Sequence, residues 1–559
     1  MSDTEKKLQS DEPDQGSLEK GQIEEFVVQP HPQYHFDVHD LDRVQRRLKQ
    51  RHVQMYVIAG TIGTGLFLGS GHALGGAGPL GALIAYALVG TVAYASLCAV
   101  GEMTTWAPIS GTFPHFAARW VDPALGFAVG WNYFYTNAIS TPVEITAAVI
   151  LITFWDSNAS ANRNGGTHHA AIYTAVLCVL VCAINIFGVR WFGESEFFFS
   201  IIKILLIIGL LIAGLVIDLG GGPSGDRIGF RYWKHPGAVA GAGLVKNVNT
   251  DRFLGILSVL VQAAFSFQGM ELVAIAASET ESPRRNITKA VHRVFYRIVI
   301  FYILGVLMIG MLVAYNDPAL LKSTGTAAQS PFVIAMKRAG VRVLPHIVNG
   351  AIFSSAFSAG NSFLFCSSRI LYGLALRGQA PRFLTYCTKG GLPLFAVLVA
   401  SAFSFLAFMN VSSGAETVFN WFVNLSTTGG FSSWFSMNLT YIFFYRGMKA
   451  QGFDLTKNAY NNRWQPYVAY WGCGWTMFFI LINGFAVFFG KFDVSGFFVA
   501  YVNIPIFLIL YFGYKIVKKT KIWKPSEMDF VTGIPSMEET ETPEIPPKNI
   551  WERIAGILF

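Results

Sequence analysis

The segment Gly60–Gly65, with the sequence GTIGTG, interrupts the first long apolar stretch of the chain, which runs from about Val53 to Gly78. Lipid offers backbone N–H and C=O groups no hydrogen-bond partners, so unwound backbone persists at membrane depth only where it lines a cavity or contacts a ligand. Glycines also let another molecule approach the main chain closely. The segment is therefore a candidate binding site formed by backbone groups.

A second apolar stretch begins near Gly255 and contains a similar interruption at Ala264–Glu271. This interruption places a glycine and a carboxylate near the middle of the stretch. Two broken helices at matching positions in two halves of a chain are typical of transporters built from inverted repeats. The alternative is that the glycines only allow neighbouring helices to pack closely. The pair of interruptions, together with Glu271, favours the binding-site interpretation.

Ionisable side chains deep in an apolar span are costly and point to function. The ones in this chain are Glu102, Glu144, Lys203, Glu271 and Arg369. Glu102 and Arg369 fall near the expected ends of their helices, where a long side chain can reach the interface. The other three fall deeper and are candidates for binding or for carrying a proton.

Glu144 and Lys203 are the strongest of these candidates. Glu144 belongs to a polar stripe that should face the interior of a helix bundle. The other polar residues of this stripe are Asn137, Ser140, Thr141 and Thr146. Lys203 has apolar neighbours on both sides, and such surroundings favour the neutral amine, so this lysine could carry a proton. The alternative is a lysine permanently paired with Glu144 or Glu271.

The composition excludes a soluble protein of this size. Of the 559 residues, 52% are hydrophobic and only 14% are charged, and the mean hydropathy is +0.43. These values predict an all-α membrane protein with many spans. Twelve stretches are long enough to be transmembrane helices: 53–78, 80–105, 124–154, 171–190, 195–219, 255–279, 293–315, 345–376, 393–411, 417–445, 467–489 and 494–516.

Basic residues set the expected orientation. Short segments rich in Lys and Arg lie at 43–51, 284–293, 446–463 and 515–524, all on one side of the twelve-helix arrangement. The positive-inside rule then places both termini in the cytoplasm. The net charge of +8 is mainly this topological signal, so it does not indicate nucleic-acid binding.

The sequence divides into three regions. Residues 1–50 have mixed charge and no signal-peptide pattern, which predicts a disordered cytoplasmic N-terminal tail. Residues 51–516 form the expected transmembrane domain, and residues 517–559 form a cytoplasmic C-terminal tail. The six cysteines fall in helices or in loops on the expected cytoplasmic side, without zinc-ligand spacing.

Several ordered motifs resemble those of the fungal amino-acid permeases, which belong to the amino acid/polyamine/organocation superfamily. The resemblance spans nearly the whole membrane region. The motifs are Gly60–Gly71, Phe265–Val273 leading to Glu279 and Ser282–Arg285, Ser358–Ser362 followed by Ser368 and Arg369, and Trp464–Tyr467 before the eleventh helix.

This resemblance implies a fold and an activity. The implied fold is leucine-transporter-like, with helices 1–5 and 6–10 as inverted repeats and two appended helices. The implied activity is proton-coupled uptake of L-amino acids across the plasma membrane by alternating access. Many fungal members end in an aromatic-cysteine tail, whereas residues 555–559 here contain no cysteine, which puts C-terminal palmitoylation in doubt.

The resemblance also implies a substrate site. In such proteins the substrate carboxylate is held by backbone N–H groups of the unwound first helix, here Gly63, Thr64 and Gly65, where a half-helix adds its positive dipole end. An aromatic side chain at the position of Phe265 covers the substrate. The substrate ammonium is held by carbonyls that correspond to Thr61, Phe265 and Gln268.

Lys203 occupies the position of a fifth-helix lysine that is the proposed proton site in related bacterial members. Glu144 and Glu271 match acidic positions associated with coupling or substrate recognition. The resemblance further implies that ubiquitin ligase machinery acts on the N-terminal tail. The candidate acceptors there are Lys6, Lys7 and Lys20.

Other functions stay open. An exchanger or uniporter would use the same site without a proton, and a nutrient sensor, or transceptor, could share the fold. An enzyme is not expected, because the sequence contains no metal-ligand cluster, nucleophile motif or cofactor loop. The transported amino acid is not predicted. Side-chain selectivity would come from positions such as Ser140, Thr141, Ser426 and Thr427.

Overall fold

The structure, a computed structural model, is helical. It describes residues 55, 60, 62–109, 111–156, 167–187, 189–275, 282–321, 330–413, 415–490 and 492–541, and these ranges contain no β-strand. The α-helices are α1 Ser70–Trp106, α2 Thr112–Trp120, α3 Pro123–Ile152, α4 Thr167–Ile186, α5 Val189–Asp218, α6 Arg231–Lys234, α7 Val248–Ser258, α8 Leu260–Phe267, α9 Leu272–Ile275, α10 Pro283–Arg297, α11 Leu304–Leu312, α12 Pro318–Leu321, α13 Pro331–Arg338, α14 Leu344–Leu376, α15 Leu394–Ser404, α16 Met409–Ser413, α17 Ala415–Ala450, α18 Tyr467–Ile482, α19 Val494–Tyr501, α20 Asn503–Lys518 and α21 Met537–Thr540.

Shorter helical segments join some of these elements. The π-helices are Gly65–Gly69, directly before α1, and Ile298–Ile303, between α10 and α11. The 3₁₀ helices are Arg382–Thr385, Phe405–Phe408, Leu455–Lys457 and Phe485–Phe488.

Within the described ranges, eight helices are long and apolar enough to cross a membrane, or nine if the bent pair α19 and α20 forms one span. This number supports a multi-pass membrane protein. The eight are Gly65–Trp106, Pro123–Ile152, His169–Ile186, Phe192–Asp218, Val248–Ile275, Pro283–Leu312, Leu394–Val411 and Tyr467–Phe488.

Helix α3 lies at the centre of the bundle, with α14 and α17 packed against it. In its most apolar window 89% of the residues are buried, against 22% in Tyr467–Phe488, which therefore lies at the periphery. The start of α3 is fixed by Asp122, whose Oδ1 accepts the N–H of Ala124 at 2.9 Å, and by Pro123 at the first helical position.

Two helix boundaries differ from the sequence expectation. The first and second expected spans are joined through Gly78, which has φ +75° inside an otherwise continuous helix, so the turn between them is a kink and not a loop. Helix α10 begins at Pro283, ten residues before the expected start at 293. The basic residues 284–293 were expected in a loop, and this was wrong, because they form most of the amphipathic helix α10.

The first described part of the expected C-terminal tail, 520–541, packs against the bundle. Arg119 of α2 donates from Nε to the carbonyl oxygen of Asp529 at 2.7 Å. Arg284 of α10 donates from Nη2 to the carbonyl oxygen of Pro535 at 2.6 Å. This segment therefore fastens the ends of α2 and α10 to each other.

Candidate functional site

The first predicted interruption is present. Ile62 and Gly63 lie in a bend, and the helix resumes as the π-helix Gly65–Gly69 before α1. The carbonyl oxygen of Ile62 accepts a hydrogen bond from Ser355 Oγ of α14 at 2.9 Å. Thr61, one of the predicted substrate contacts, lies outside the described residues.

Glu144 of α3 lies directly against this bend. The backbone N–H of Thr64 donates to Glu144 Oε1 at 3.4 Å. A Cβ atom added to Gly63 would lie 2.6 Å from the same oxygen. A glycine is therefore needed for the carboxylate to reach the main chain of the bend.

The second predicted interruption is also present, and it touches the first. Helix α8 ends at Phe267 and α9 begins at Leu272, with turns between them. Gly269 in this gap has φ +91°, a left-handed conformation that favours glycine. A Cβ atom added to it would lie 2.7 Å from the carbonyl oxygen of Gly60. The main chains of the two breaks therefore lie in contact.

Gly65 also lies at the contact between the two broken helices, against α8. A Cβ atom on Gly65 would lie 2.7 Å from Cα of Ser266 in α8. Real Cβ atoms do not approach that closely, so the first half-helix sits on the main chain of α8 only because residue 65 is glycine.

Phe265 and Gln268, the other predicted substrate contacts, face α17. Gln268 donates from Nε2 to the carbonyl oxygen of Ser426 at 2.8 Å. The ring of Phe265 lies edge-on to that of Phe419, with centroids 6.3 Å apart. Both side chains therefore lie where the second break and the end of α8 meet α17, the helix that carries Ser426 and Thr427.

Glu271 is held within the second break by neutral donors. Tyr133 of α3 donates its hydroxyl to Oε1 at 3.2 Å, and Trp434 of α17 donates Nε1–H to Oε2 at 3.3 Å. The side chain is buried. Hydrogen bonds of this kind satisfy a buried carboxylate without a counter-charge.

Lys203 is fully buried, with 0% of its surface exposed. It interacts electrostatically with Glu144 and also with Glu196, a residue of its own helix α5. The predicted association of Lys203 with Glu144 is therefore present. The structure adds Glu196 as a second carboxylate that interacts with this lysine.

Glu196 is a site residue that the sequence analysis missed. The fifth span was expected to begin at 195, where a carboxylate in the first turn is ordinary. The signal that could have found it is spacing: Glu196 precedes Lys203 by seven residues, which puts both on one face of a helix about two turns apart.

The polar stripe of α3 is buried, as predicted. Ser140 Oγ donates to the carbonyl oxygen of Thr136 at 2.8 Å, and Thr141 Oγ1 donates to that of Asn137 at 3.4 Å. These bonds back to the preceding turn satisfy the hydroxyl protons and leave the oxygen atoms as acceptors.

The expectation that Glu102 reaches the interface was wrong. Its carboxylate is buried, accepts a short hydrogen bond from the Tyr441 hydroxyl, and accepts the backbone N–H of Asn462 at 2.8 Å. Arg369 is also buried and packs over the ring of Phe365, with 3.9 Å between the guanidinium carbon and the centroid. Glu102 therefore connects α1 to α17, whereas Arg369 packs on a residue of its own helix α14.

The site therefore combines two features. Two unwound helix segments touch each other and present main-chain groups, an arrangement suited to a small zwitterion. Directly behind the first segment lie a buried amine and two carboxylates, which are groups that can exchange a proton.

Comparison with known proteins identifies the family of this chain. Residues 52–526 match the family described as "Amino acid permease". The dicarboxylic amino acid permease of Saccharomyces cerevisiae is 41% identical over 88% of this chain and 80% of its own length. The proline-specific permease of Emericella nidulans is 40% identical over 94% and 95%, and the lysine-specific permease of S. cerevisiae is 38% identical over 91% and 82%. The chain is a multi-pass membrane protein that belongs to the amino acid permease family.

Proposed function

We propose that this permease takes up L-amino acids together with protons across the plasma membrane by alternating access. The observation that carries the proposal is the position of Glu144. Its carboxylate accepts the N–H of Thr64 in the unwound helix and interacts with Lys203 behind it. A residue shared by a binding site and a proton site lets occupancy of one change the affinity of the other.

The substrate carboxylate is proposed to bind the backbone N–H groups of Gly63, Thr64 and Gly65. The small residues and the half-helix that starts there favour an anion at this point. In the described structure Glu144 accepts the Thr64 N–H. Binding of a substrate carboxylate would therefore displace Glu144 from that N–H and change the surroundings of Lys203.

The substrate ammonium is proposed to bind main-chain carbonyls of the two breaks. The carbonyl groups proposed for this role belong to Thr61, Phe265 and Gln268. Support comes from the contact between the breaks, which brings carbonyl groups of both near one point. Phe265 is proposed to cover the bound substrate.

Twelve spans are proposed for the whole domain. The segment Gly65–Trp106 has 42 residues, about twice the length needed to cross ~30 Å of hydrocarbon, and it is kinked at Gly78. Counting it twice, and adding α14, α17 and the bent pair α19 and α20, supports the predicted number. The first break lies in span one and the second break lies in span six, which supports a five-plus-five inverted repeat.

The division into regions 1–50, 51–516 and 517–559 and the cytoplasmic location of both termini are kept as proposals from the charge distribution. Ubiquitin attachment at Lys6, Lys7 or Lys20 is likewise proposed, and these residues lie outside the described part of the chain. Substrate-induced turnover that is unaltered when all three are changed to arginine would contradict that proposal.

The side chain of the transported amino acid is not fixed by family membership. The relatives named above are called dicarboxylic, proline-specific and lysine-specific. We propose that selectivity comes from buried polar positions on α3 and α17. These are Ser140, Thr141, Ser426 and Thr427.

A second candidate is exchange without a proton. The observation that favours it is that Lys203 interacts with two carboxylates, which would keep it charged throughout the cycle. The two candidates differ in whether substrate entry carries a proton.

Uptake of a panel of amino acids by cells lacking other permeases, recorded together with cytoplasmic pH, tests the proposal. Proton-coupled uptake predicts accumulation above the external concentration, faster uptake at low external pH, and cytoplasmic acidification when substrate is added. Saturable uptake without acidification or accumulation would favour the exchanger.

A further inference from the structure

Glu196 and Lys203 lie on the same face of α5. Seven residues advance a helix by about 10 Å and return to nearly the same angle. Helical side chains point toward the N-terminus of their helix, so the long amine of Lys203 extends toward Glu196. The two groups interact electrostatically, and both are buried.

Both oxygen atoms of Glu196 are occupied by donors from α14. Ser358 Oγ donates to Oε2 at 2.6 Å, and Asn361 Nδ2 donates to Oε1 at 2.5 Å. The Asn361 side chain in turn accepts from Asn185 Nδ2 of α4 at 2.6 Å. Glu196 therefore links α5 directly to α14 and, through Asn361, to α4.

The electrostatic interactions of Lys203 link Glu196 to the first break. This connection starts at the Thr64 N–H in the unwound helix, continues through Glu144 and Lys203, and reaches Glu196. Glu196 lies at the N-terminal end of this connection along α5, which is the cytoplasmic end in the proposed orientation.

On α5 itself, Glu194 lies two residues before Glu196 and is exposed. The helices packed against α5 are α14, α11, α13 and α4. Their described charged residues are Arg369, packed over Phe365, and Lys337 and Arg338, which lie near the opposite end of α5, where Ala339 meets Gly222. Glu144 is the second carboxylate with which Lys203 interacts.

We propose that Glu196 is the acceptor that takes the proton from Lys203 on its way to the cytoplasm. In the transfer one N–H bond of the Lys203 ammonium breaks and an O–H bond forms on Glu196. The lysine becomes a neutral amine and the glutamate a neutral carboxylic acid, which then gives its proton to cytoplasmic water. This inference depends on the proposed proton coupling and assigns the exit route of that proton.

The donors from α14 explain how release is tied to transport. In the described structure they occupy both oxygens of Glu196, and the carboxylate is closed to water. A movement of α14 relative to α5 would free these oxygens and admit water. The proton then leaves only in the conformation that opens this end of the bundle.

Glu196→Gln in the full-length protein tests the proposal. The amide cannot accept a proton but keeps nearly the same size. We expect net uptake with cytoplasmic acidification to fall about 100-fold, the lower end of what a positioned acid–base group contributes. Exchange of internal for external amino acid, which needs no net proton release, should stay within a factor of about two.

Two further variants separate proton transfer from structural support. Ser358→Ala removes one donor but keeps the carboxylate, so net uptake and exchange should change together. Glu196→Asp restores a titratable group and should recover substrate-induced acidification. Equal loss of uptake and exchange in Glu196→Gln would overturn the proposal and leave Glu196 a structural residue.

The outcome also distinguishes this inference from the proposed function. If the unaltered protein concentrates amino acid without acidification, the proposed proton coupling is contradicted. The proposed exit route through Glu196 is then contradicted as well. If the unaltered protein and Glu196→Gln acidify the cytoplasm equally, and Lys203→Ala does not, coupling stands and the role of Glu196 is overturned.

Discussion

The two helix breaks share a geometry but differ in their charges. Each is interrupted at glycine, and their main chains touch where Gly269 meets Gly60. Among the described residues 62–65 of the first break none is ionisable, and its neighbouring charges come from α3 and α5. The second break contains its own carboxylate, Glu271, held by two neutral donors.

This difference suggests a division of work. A carboxylate that shares an amine with another carboxylate can change its protonation state when its neighbours move, whereas one held by hydroxyl and indole donors stays in place as part of a polar network. We therefore expect changes around the first break to uncouple the proton from the substrate. Changes around Glu271 should weaken substrate binding while coupling persists.

The largest effect is expected from Gly65→Val. The new side chain would collide with the main chain of Ser266, and overpacking of this kind costs about 1–3 kcal/mol. Because the proposed carboxylate site is the same backbone, saturable uptake should fall about 100-fold or disappear while surface expression stays intact. Uptake of labelled amino acid and surface labelling measure the two.

Gly209→Val on α5 is the matched control, because a Cβ atom there would meet nothing within 4 Å. That variant should transport normally. Near-normal uptake by Gly65→Val would contradict the assignment of the first break as the substrate site.

Lys203→Ala should remove proton coupling. Without the amine, uptake should lose its dependence on external pH, and the internal amino acid should no longer exceed the external concentration, while exchange persists. Uptake at several pH values and cytoplasmic pH recordings provide the measurements. A variant that still concentrates substrate and acidifies the cytoplasm would move the coupling role to one of the carboxylates Glu144, Glu196 or Glu271.

Glu271→Gln should have a smaller effect of a different kind. The amide still accepts one of the hydrogen bonds from Tyr133 and Trp434, so we expect uptake affinity to fall about tenfold, as for the loss of one hydrogen bond to a charged group. The pH dependence of uptake should stay unchanged. A lost pH dependence would place Glu271 in the coupling machinery and erase the distinction between the breaks. Tyr133→Phe, which removes one donor, should show a milder loss of the same kind.

The sequence predicted the parts of the site that depend on local composition. Glycines in an apolar stretch revealed both breaks, and the positions of Glu144 and Lys203 predicted a buried charged pair. Glu196 was missed because its role depends on donors from α14, Ser358 and Asn361, which lie more than 160 residues away in the chain. No pattern within the sequence of α5 indicates which residues of α14 donate to Glu196.

The same limit applies to the C-terminal segment. Residues 520–541 were expected to be a tail, yet they pack on the bundle. The side chains of Trp523, Met528 and Phe530 are buried in its core, and Arg119 and Arg284 donate to main-chain carbonyls of the segment. Every residue presents a carbonyl, so the sequence carries no pattern for these hydrogen bonds, whereas the large apolar residues of the segment are a signal that the sequence analysis did not use.

The smallest expected effect comes from Ser355→Ala, which removes one hydrogen bond to the carbonyl of Ile62 in the first break. A neutral hydrogen bond contributes about 1 kcal/mol, so the apparent affinity for substrate should fall about fivefold, with coupling retained. The neighbouring Ser354 is the matched control, because its hydroxyl donates to Ala351 of its own helix and leaves the break untouched. Ser354→Ala should therefore transport normally. If both alanine variants behave alike in uptake kinetics, the tether from α14 does not shape the first break, and the two breaks differ only in the charges around them.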